Sequence, residues 1–134
     1  MSRQNIEAIY RLSPLQEGIL FHTLESTTSD IYLSQYSCFL EGNIDARRLE
    51  RAWDAAVSRH PTLRTLFTWE RRESPLQVVR ERISLPWEHL DWRDLTREDQ
   101  IRRWQAYLER DRDRGFDLSR APLMRLALIR VADQ

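Results

Sequence analysis

Residues 10–24 read YRLSPLQEGILFHTL, and this stretch carries several independent signals for the start of a helix. Ser13 suits the N-cap, Pro14 suits the first helical position because its missing N–H costs nothing there, and Gln16 suits the reciprocal position of a capping box. The spacing that follows predicts a wide apolar face formed by Leu15, Ile19, Leu20, His22 and Leu24. Gly18 costs about 1 kcal/mol in a helix interior, which predicts a close packing contact at this position.

The segments on either side of this helix are predicted as strands. Residues 6–12 lead into the Ser13 cap as a short first strand. After a polar loop at residues 26–30, residues 32–41 alternate strictly between two faces. Apolar groups on both faces indicate a sheet that is covered by helices on one side and contacts another element on the other.

The rest of the chain continues with helices and short strands. A helix capped by Asp45 ends before Pro61, and a period of two then predicts a strand over residues 63–70. A charged turn at residues 71–74 precedes a short strand over 76–79 and an extended piece over 83–91. Thr96 with Asp99 predicts the capping box of a third helix, which continues to residue 115, and residues 123–131 form a last strand.

The composition of the chain argues against several classes of partner and of chemistry. The 134 residues are 41% hydrophobic and carry 21 basic and 21 acidic side chains, so no basic surface favours nucleic acid or an anionic membrane. No apolar run reaches the length of a membrane span and no signal peptide is evident, so we expect a cytoplasmic location. Cys38 is the single cysteine, which rules out an internal disulfide, and every basic residue is Arg, which excludes a catalytic lysine.

Residue types and their spacing alone identify no catalytic group. The three histidines, His22, His60 and His89, lack metal-ligand spacing, so we expect no metal site. Ser13, His22 and Asp30 could be written as a triad, but a cap serine whose oxygen accepts a backbone N–H is a poor nucleophile. The three glycines are isolated, so no phosphate-binding loop is present.

Three segments resemble one family. Residues 12–22 (LSPLQEGILFH) and 59–67 (RHPTLRTLF) resemble the first two core motifs of the condensation domains of nonribosomal peptide synthetases, in the family's order and with a strand and a helix between them. Residues 115–130 (GFDLSRAPLMRLALIR) resemble the family's segment before its catalytic motif. Pro61 departs from the pattern, because many members carry Glu there.

The resemblance implies a chloramphenicol acetyltransferase-like fold, of which residues 1–134 are the N-terminal part of the N-terminal lobe. The expected class is therefore α+β or α/β, a two-layer sandwich with a mixed sheet flanked by about three helices. The family's signature, His-His-x-x-x-Asp-Gly, is absent from these residues, so the resemblance implies no catalytic, cofactor-binding or metal residue here. It implies only supporting residues: Ser13, Gln16 and Gly18 of the first motif, and Arg59, His60, Arg64 and Thr65 of the second.

Three functions remain open. The first is part of a condensation domain that forms peptide bonds between thioesters held on the phosphopantetheine arms of carrier domains. The second is a catalytically inactive piece that at most contacts carrier domains or the missing C-terminal lobe, and the third is an ester-forming acyltransferase of the same superfamily. We expect the chain alone to be inactive, marginally stable and prone to aggregate, because its last strand would have an unpaired edge.

The resemblance also carries an expectation for Arg64. In the family, the corresponding arginine is expected to pair with the Asp of the catalytic motif, which these 134 residues lack. Because a buried arginine without a partner is costly, Arg64 should either reach solvent or pair with another carboxylate.

Overall fold

The computed structural model describes residues 5–26, 32–70 and 73–133, and within them it has three α-helices and five strands. In chain order these are β1 (Ile6–Arg11), α1 (Pro14–Glu25), α2 (Ala46–Arg59), a 3₁₀ turn (Pro61–Arg64), β2 (Thr65–Thr68), β3 (Leu76–Arg80), β4 (Trp87–Asp91), α3 (Arg97–Arg114) and β5 (Leu126–Arg130). Among the described residues, no helix is both long and apolar enough to cross a bilayer.

The strands form two sheets. β3 lies between β1 and β2 and is antiparallel to both, with Val78 opposite Ile9 on one side and Leu66 on the other. β4 and β5 form a separate parallel pair, in which His89 is opposite Leu128. The buried apolar side chains are Leu12, Leu20, Val57, Leu66, Val78, Val79, Leu85 and Trp92. Most of them therefore lie on β2 and β3 or on the elements that meet this sheet.

All three predicted helices are present, and each begins where its cap predicts. The Ser13, Asp45 and Thr96 side chains each accept a backbone N–H three residues further on. At the other end of α3, Gly115 has φ of 54°, a positive value that a residue without Cβ adopts at little cost. The predicted class, three helices with antiparallel and parallel strands, is confirmed, although the described strands fall into two sheets.

Two predicted strands differ from the structure. Residues 63–70 begin as the 3₁₀ turn, because Pro61 fixes its φ in the turn region, and only Thr65–Thr68 pair with β3. The predicted last strand, 123–131, is likewise shortened to Leu126–Arg130. The regular part of each strand is thus limited to the residues that have a partner strand beside them.

The strand predicted over residues 32–41 is wrong for this structure, in which residues 33–41 belong to no sheet. Alternation predicts the conformation of a strand, but a strand exists only where a neighbour satisfies its backbone N–H and C=O groups. Of the predicted loop at 26–30 only Ser26 is described, and the predicted turn at 71–74 also lies partly outside the described residues.

Candidate functional site

The first motif forms a complete capping box that is joined to the sheet. The Ser13 N–H donates to Gln16 Oε1 at 2.8 Å, and the Gln16 N–H donates to Ser13 Oγ at 3.3 Å. Gln16 Nε2 also donates to Gln77 Oε1 on β3 at 3.4 Å, and Gln77 Nε2 donates to the Arg11 carbonyl at 3.2 Å. Gln16 therefore both caps α1 and fixes the start of this helix against β3.

We expect Ser13→Ala to lower the free energy of unfolding by about 1 kcal/mol, because the Gln16 N–H loses its cap acceptor. Ser13→Asp keeps an acceptor at the same position and adds a negative charge at the helix N-terminus, so it should remain close to the parent. Urea unfolding followed by far-ultraviolet circular dichroism measures both. Equal urea midpoints for Ser13→Ala and the parent would contradict a capping role.

The close contact predicted at Gly18 is wrong. A Cβ built on Gly18 would meet nothing within 4 Å, because this side of α1 faces solvent. Leu15, predicted on the inner face, is 74% exposed, and Leu20 is the only buried residue of the helix. The apolar face predicted for α1 is therefore largely exposed in the part of the chain that the structure describes.

The second motif places a buried guanidinium at the junction of α2, β1 and β3. Arg64 is only 4% exposed. Its Nε donates to the Val57 carbonyl at 3.0 Å and its Nη2 to the Ser58 carbonyl at 3.3 Å. Its Nη1 donates to Glu7 Oε2 on β1 at 2.5 Å and to the Arg80 carbonyl at the end of β3. One side chain therefore joins three elements.

Arg64 was expected either to reach solvent or to pair with another carboxylate. The structure shows the second outcome, because Arg64 pairs with Glu7. Sequence reasoning did not find this partner, because Glu7 lies 57 residues earlier and nothing in the intervening sequence indicates the contact. Thr65 is also buried, and its Oγ1 donates to the Pro61 carbonyl at 3.0 Å. Arg59 and His60 are exposed, and the His60 N–H ends α2 by donating to the Ala56 carbonyl.

The two motifs lie at opposite ends of one strand. Gln16 contacts Gln77 near the start of β3, whereas Arg64 contacts Arg80 at its end. Three residues of extended chain separate these positions by about 10 Å. Gln16 and Arg64 are therefore brought to the same sheet but not into a single cluster, while Gly18, Arg59 and His60 are exposed. The bonds of Gln16 and Arg64 hold α1 and α2 against β3.

A third network, which sequence reasoning missed, joins α3 to the chain before β5. Arg125 Nε donates to Asp111 Oδ1 at 2.5 Å, and Arg125 Nη1 donates to the Gly115 carbonyl at 2.6 Å. The guanidinium also lies over the Phe116 ring, 4.2 Å from its centroid. Both charged side chains are largely buried. The segment that resembles the family's approach to its catalytic motif, residues 115–130, is thus tied to α3 by the ion pair of Arg125.

The strongly shifted titratable groups belong to ion pairs and hydrogen bonds around β4, β5 and α3. Hydrogen bonds from Arg93 lower the pKa of the exposed Asp91 carboxyl to about 2. This pair contributes to stability above pH 3.8 and the contribution is lost as the pH falls towards 2. Burial and a hydrogen bond to Glu88 raise the pKa of Tyr107 to about 12. These shifts move both groups away from neutral pH, so they favour structural roles.

The hydrogen bonds and ion pairs of these residues hold the helices and strands in position. Ser13 accepts a backbone N–H and its own N–H is bound by Gln16, as a cap requires, and Asp30 of the hypothetical triad lies outside the described residues. His89 Nε2 lies 2.7 Å from Glu50 Oε1, and this contact joins β4 to α2. The His89 ring also stacks on Trp87 of the same strand. Within the described residues, no group of three or more His, Cys, Asp and Glu side chains could hold a metal ion.

Comparison with known proteins identifies relatives that match almost the whole chain. Residues 6–134 match the family model of the condensation domain. A linear gramicidin synthase protein of Brevibacillus parabrevis is 47% identical over 126 residues, which cover 94% of this chain and 2% of that protein. Bacitracin synthase 3 of Bacillus licheniformis is 37% identical over 131 residues, which cover 98% of this chain and 2% of that protein. The chain therefore spans only a small part of these relatives.

Solved structures agree with this fold. The tallysomycin biosynthesis protein TlmII superposes with a TM-score of 0.68 at 26% identity, over 94% of this chain and 30% of that one. A starter condensation domain of the rhizomide synthetase RzmA gives a TM-score of 0.75 at 23% identity, over 93% of this chain and 28% of that one. The superpositions agree with this fold, and the family match over residues 6–134 shows that the chain belongs to the condensation domains of nonribosomal peptide synthetases, as an N-terminal portion of such a domain.

Proposed function

We propose that this chain serves in a domain that forms amide bonds between an acyl or peptidyl thioester on one carrier domain and an aminoacyl thioester on another. Both thioesters would be held on phosphopantetheine arms, which belong to the carrier domains. The chain itself holds no cofactor in this proposal, and its partners are the carrier domains and the rest of the condensation domain.

The observation that carries the proposal is the match of residues 6–134 to the condensation family together with 47% identity to a gramicidin synthase protein. The role assigned to the chain is structural support. Gln16 and Arg64 fix α1, α2 and β1 on β3, and Arg125 fixes the segment that leads into β5. This is consistent with a part that positions catalytic groups supplied by other residues of the domain.

The test is a chimera, in which the residues of this chain replace the segment that aligns with them in the gramicidin synthase protein at 47% identity. This protein, called the chimera below, is mixed with a donor carrier and an acceptor carrier, each loaded with an amino acid. Mass spectrometry of the carriers measures dipeptide formation with time. We expect the chimera to form dipeptide, as the unmodified gramicidin synthase domain does.

A second acceptor separates amide formation from ester formation. The same assay is run with the acceptor carrier loaded with a hydroxy acid in place of the amino acid. Ester formation without dipeptide formation would favour an ester-forming acyltransferase and overturn the proposal. A chimera that unfolds cooperatively at a temperature close to that of the parent domain, but forms neither product, would also overturn it.

A further inference from the structure

β4, α3 and β5 form a strand–helix–strand unit, in which the helix connects two parallel strands. The carboxyl ends of both strands lie at one edge, called the carboxyl edge below, where Asp91 of β4 is opposite Arg130 of β5. In open sheets of parallel strands, ligands bind outside this edge. The chain leaves β5 there, so its path after Arg130 bears on any site that the domain forms at the carboxyl edge.

Gln100 of α3 joins the two strands just beyond their last paired residues. Its Nε2 donates to the Trp92 carbonyl at 2.9 Å and to the Val131 carbonyl at 3.0 Å. Trp92 directly follows β4, and Val131 directly follows β5. A side-chain amide has two N–H donors, so Gln100 can give one to each carbonyl. The side chain of Gln100 therefore holds the exits of the two strands side by side.

Further contacts follow the same stretch of chain. The Trp92 N–H donates to the Arg130 carbonyl at 2.8 Å, one residue before the Gln100 contact. Two residues after it, Arg93 Nη1 donates to Asp133 Oδ1 at 2.7 Å. Arg93 Nε and Nη2 meanwhile donate to the Asp91 carboxylate at 2.9 Å and 2.6 Å. The chain leaving β5 is thus bound at successive residues from the loop and helix that follow β4.

The two bonds of Gln100 are better suited to direction than to stability. The bond to Val131 is exposed, so water can replace the donor if the amide is removed. The Trp92 carbonyl also accepts the Leu95 N–H at 3.1 Å, so it keeps a donor without Gln100. The Trp92 side chain is 3% exposed, which fixes this end of the bridge. Loss of the amide therefore leaves no buried acceptor unpaired, but it releases the exit of β5 from a fixed neighbour.

We propose that Gln100 is a positioning residue for amide formation. In the complete domain it sets the direction in which the chain leaves β5, and thereby the placement of the residues that follow at the carboxyl edge. Gln100 acts through the backbone of Val131 and needs no contact with either thioester. This role rests on the proposed function, because it concerns the rate at which the domain joins its two thioesters.

The test is the steady-state kinetics of the chimera with Gln100 replaced. Gln100→Met keeps the length of the side chain and removes both donors without adding a charge. We expect kcat for dipeptide formation to fall about 10- to 100-fold, because a displacement of about 1 Å at reacting groups has an effect of this order. KM for each loaded carrier should stay within about twofold of the parent. Gln100→Lys supplies N–H donors again and should recover kcat to within about threefold.

A matched control and an unfolding measurement separate positioning from folding. Gln105→Met makes the same change on the exposed side of α3 and should leave kcat unchanged. Thermal unfolding of Gln100→Met should stay close to that of the parent chimera. A parent-like kcat in Gln100→Met, or a fall that Gln100→Lys does not recover, would overturn the proposal. So would a fall matched by loss of folded protein, or a rise in KM alone, which would assign Gln100 to carrier docking.

Amide hydrogen exchange tests the same role without any measurement of activity. Exchange of the residues that follow position 131 in the chimera should be about 10-fold faster in Gln100→Met, whereas exchange within β4 should not change. Equal exchange in the variant and the parent would overturn the proposal. If Gln100→Met does not unfold cooperatively, Gln100→Asn replaces it with the same expectations, because its side chain is one methylene too short to reach both carbonyls. A parent chimera that forms no dipeptide contradicts the proposed function alone, and the exchange measurement still decides whether Gln100 holds the exit of β5.

Discussion

Arg64→Ala is expected to lower the free energy of unfolding of this chain by about 3–5 kcal/mol, because it removes a buried charged side chain that binds α2, β1 and β3. The substitution leaves the carbonyls of Val57, Ser58 and Arg80 without their donors, and unpaired buried acceptors are costly. A loss of this size is a large part of the stability of a small domain. Urea unfolding of the 134-residue chain measures the change.

Two variants identify which contacts of Arg64 matter. Arg59→Ala removes an exposed arginine of the same motif, and we expect its urea midpoint to remain close to the parent. Glu7→Gln removes the carboxylate charge but leaves the carbonyl bonds of Arg64, and since Glu7 is partly exposed the loss should be about 1 kcal/mol or less. Equal midpoints for Arg64→Ala and Arg59→Ala would show that the buried network contributes nothing.

The 134-residue chain alone is expected to condense carrier-bound thioesters at least 10²–10⁴-fold more slowly than the chimera, which is roughly the range that a single acid–base group contributes. The motif His-His-x-x-x-Asp-Gly is absent from these residues, and the described histidines lie apart, on α1, at the end of α2 and on β4. The supporting residues Ser13, Gln16, Arg64 and Thr65 accept and donate hydrogen bonds within the fold, as structural anchors do.

The measurement uses the same two loaded carriers, with mass spectrometry over a time course long enough to detect the uncatalysed reaction. The unmodified gramicidin synthase domain is the positive control, and loaded carriers without enzyme give the background. Dipeptide formation by the chain above this background would contradict the prediction. It would also place a catalytic group among the 134 residues.

Helix starts were the most predictable features, because their stabilising contacts are local. Ser13, Asp45 and Thr96 each accept an N–H three residues further on, so the sequence contains both partners of the bond. Pro61 similarly ends α2 through its own ring geometry. The two motifs of the condensation family could also be recognised directly, since they are contiguous residues.

Long-range contacts were not predictable in the same way. Glu7 and Arg64 are separated by 57 residues, and Gln16 and Gln77 by 61, so their pairing depends on the order β1-β3-β2 in the sheet. Nothing local distinguishes Glu7 from the other carboxylates of the chain. The sequence therefore identified the individual residues Gln16 and Arg64. Only the fold showed that their side chains anchor neighbouring elements to β3.

The sequence by itself determined where α1, α2 and α3 begin, and it determined the family, because capping and motif residues act over a few positions. The tertiary structure decided the state of residues 33–41 and of Gly18. Alternation gives residues 33–41 the form of a strand, but backbone pairing needs a neighbour that the described chain does not place beside them. A glycine permits close approach, but only packing supplies the approaching atoms, and at Gly18 none lies within 4 Å.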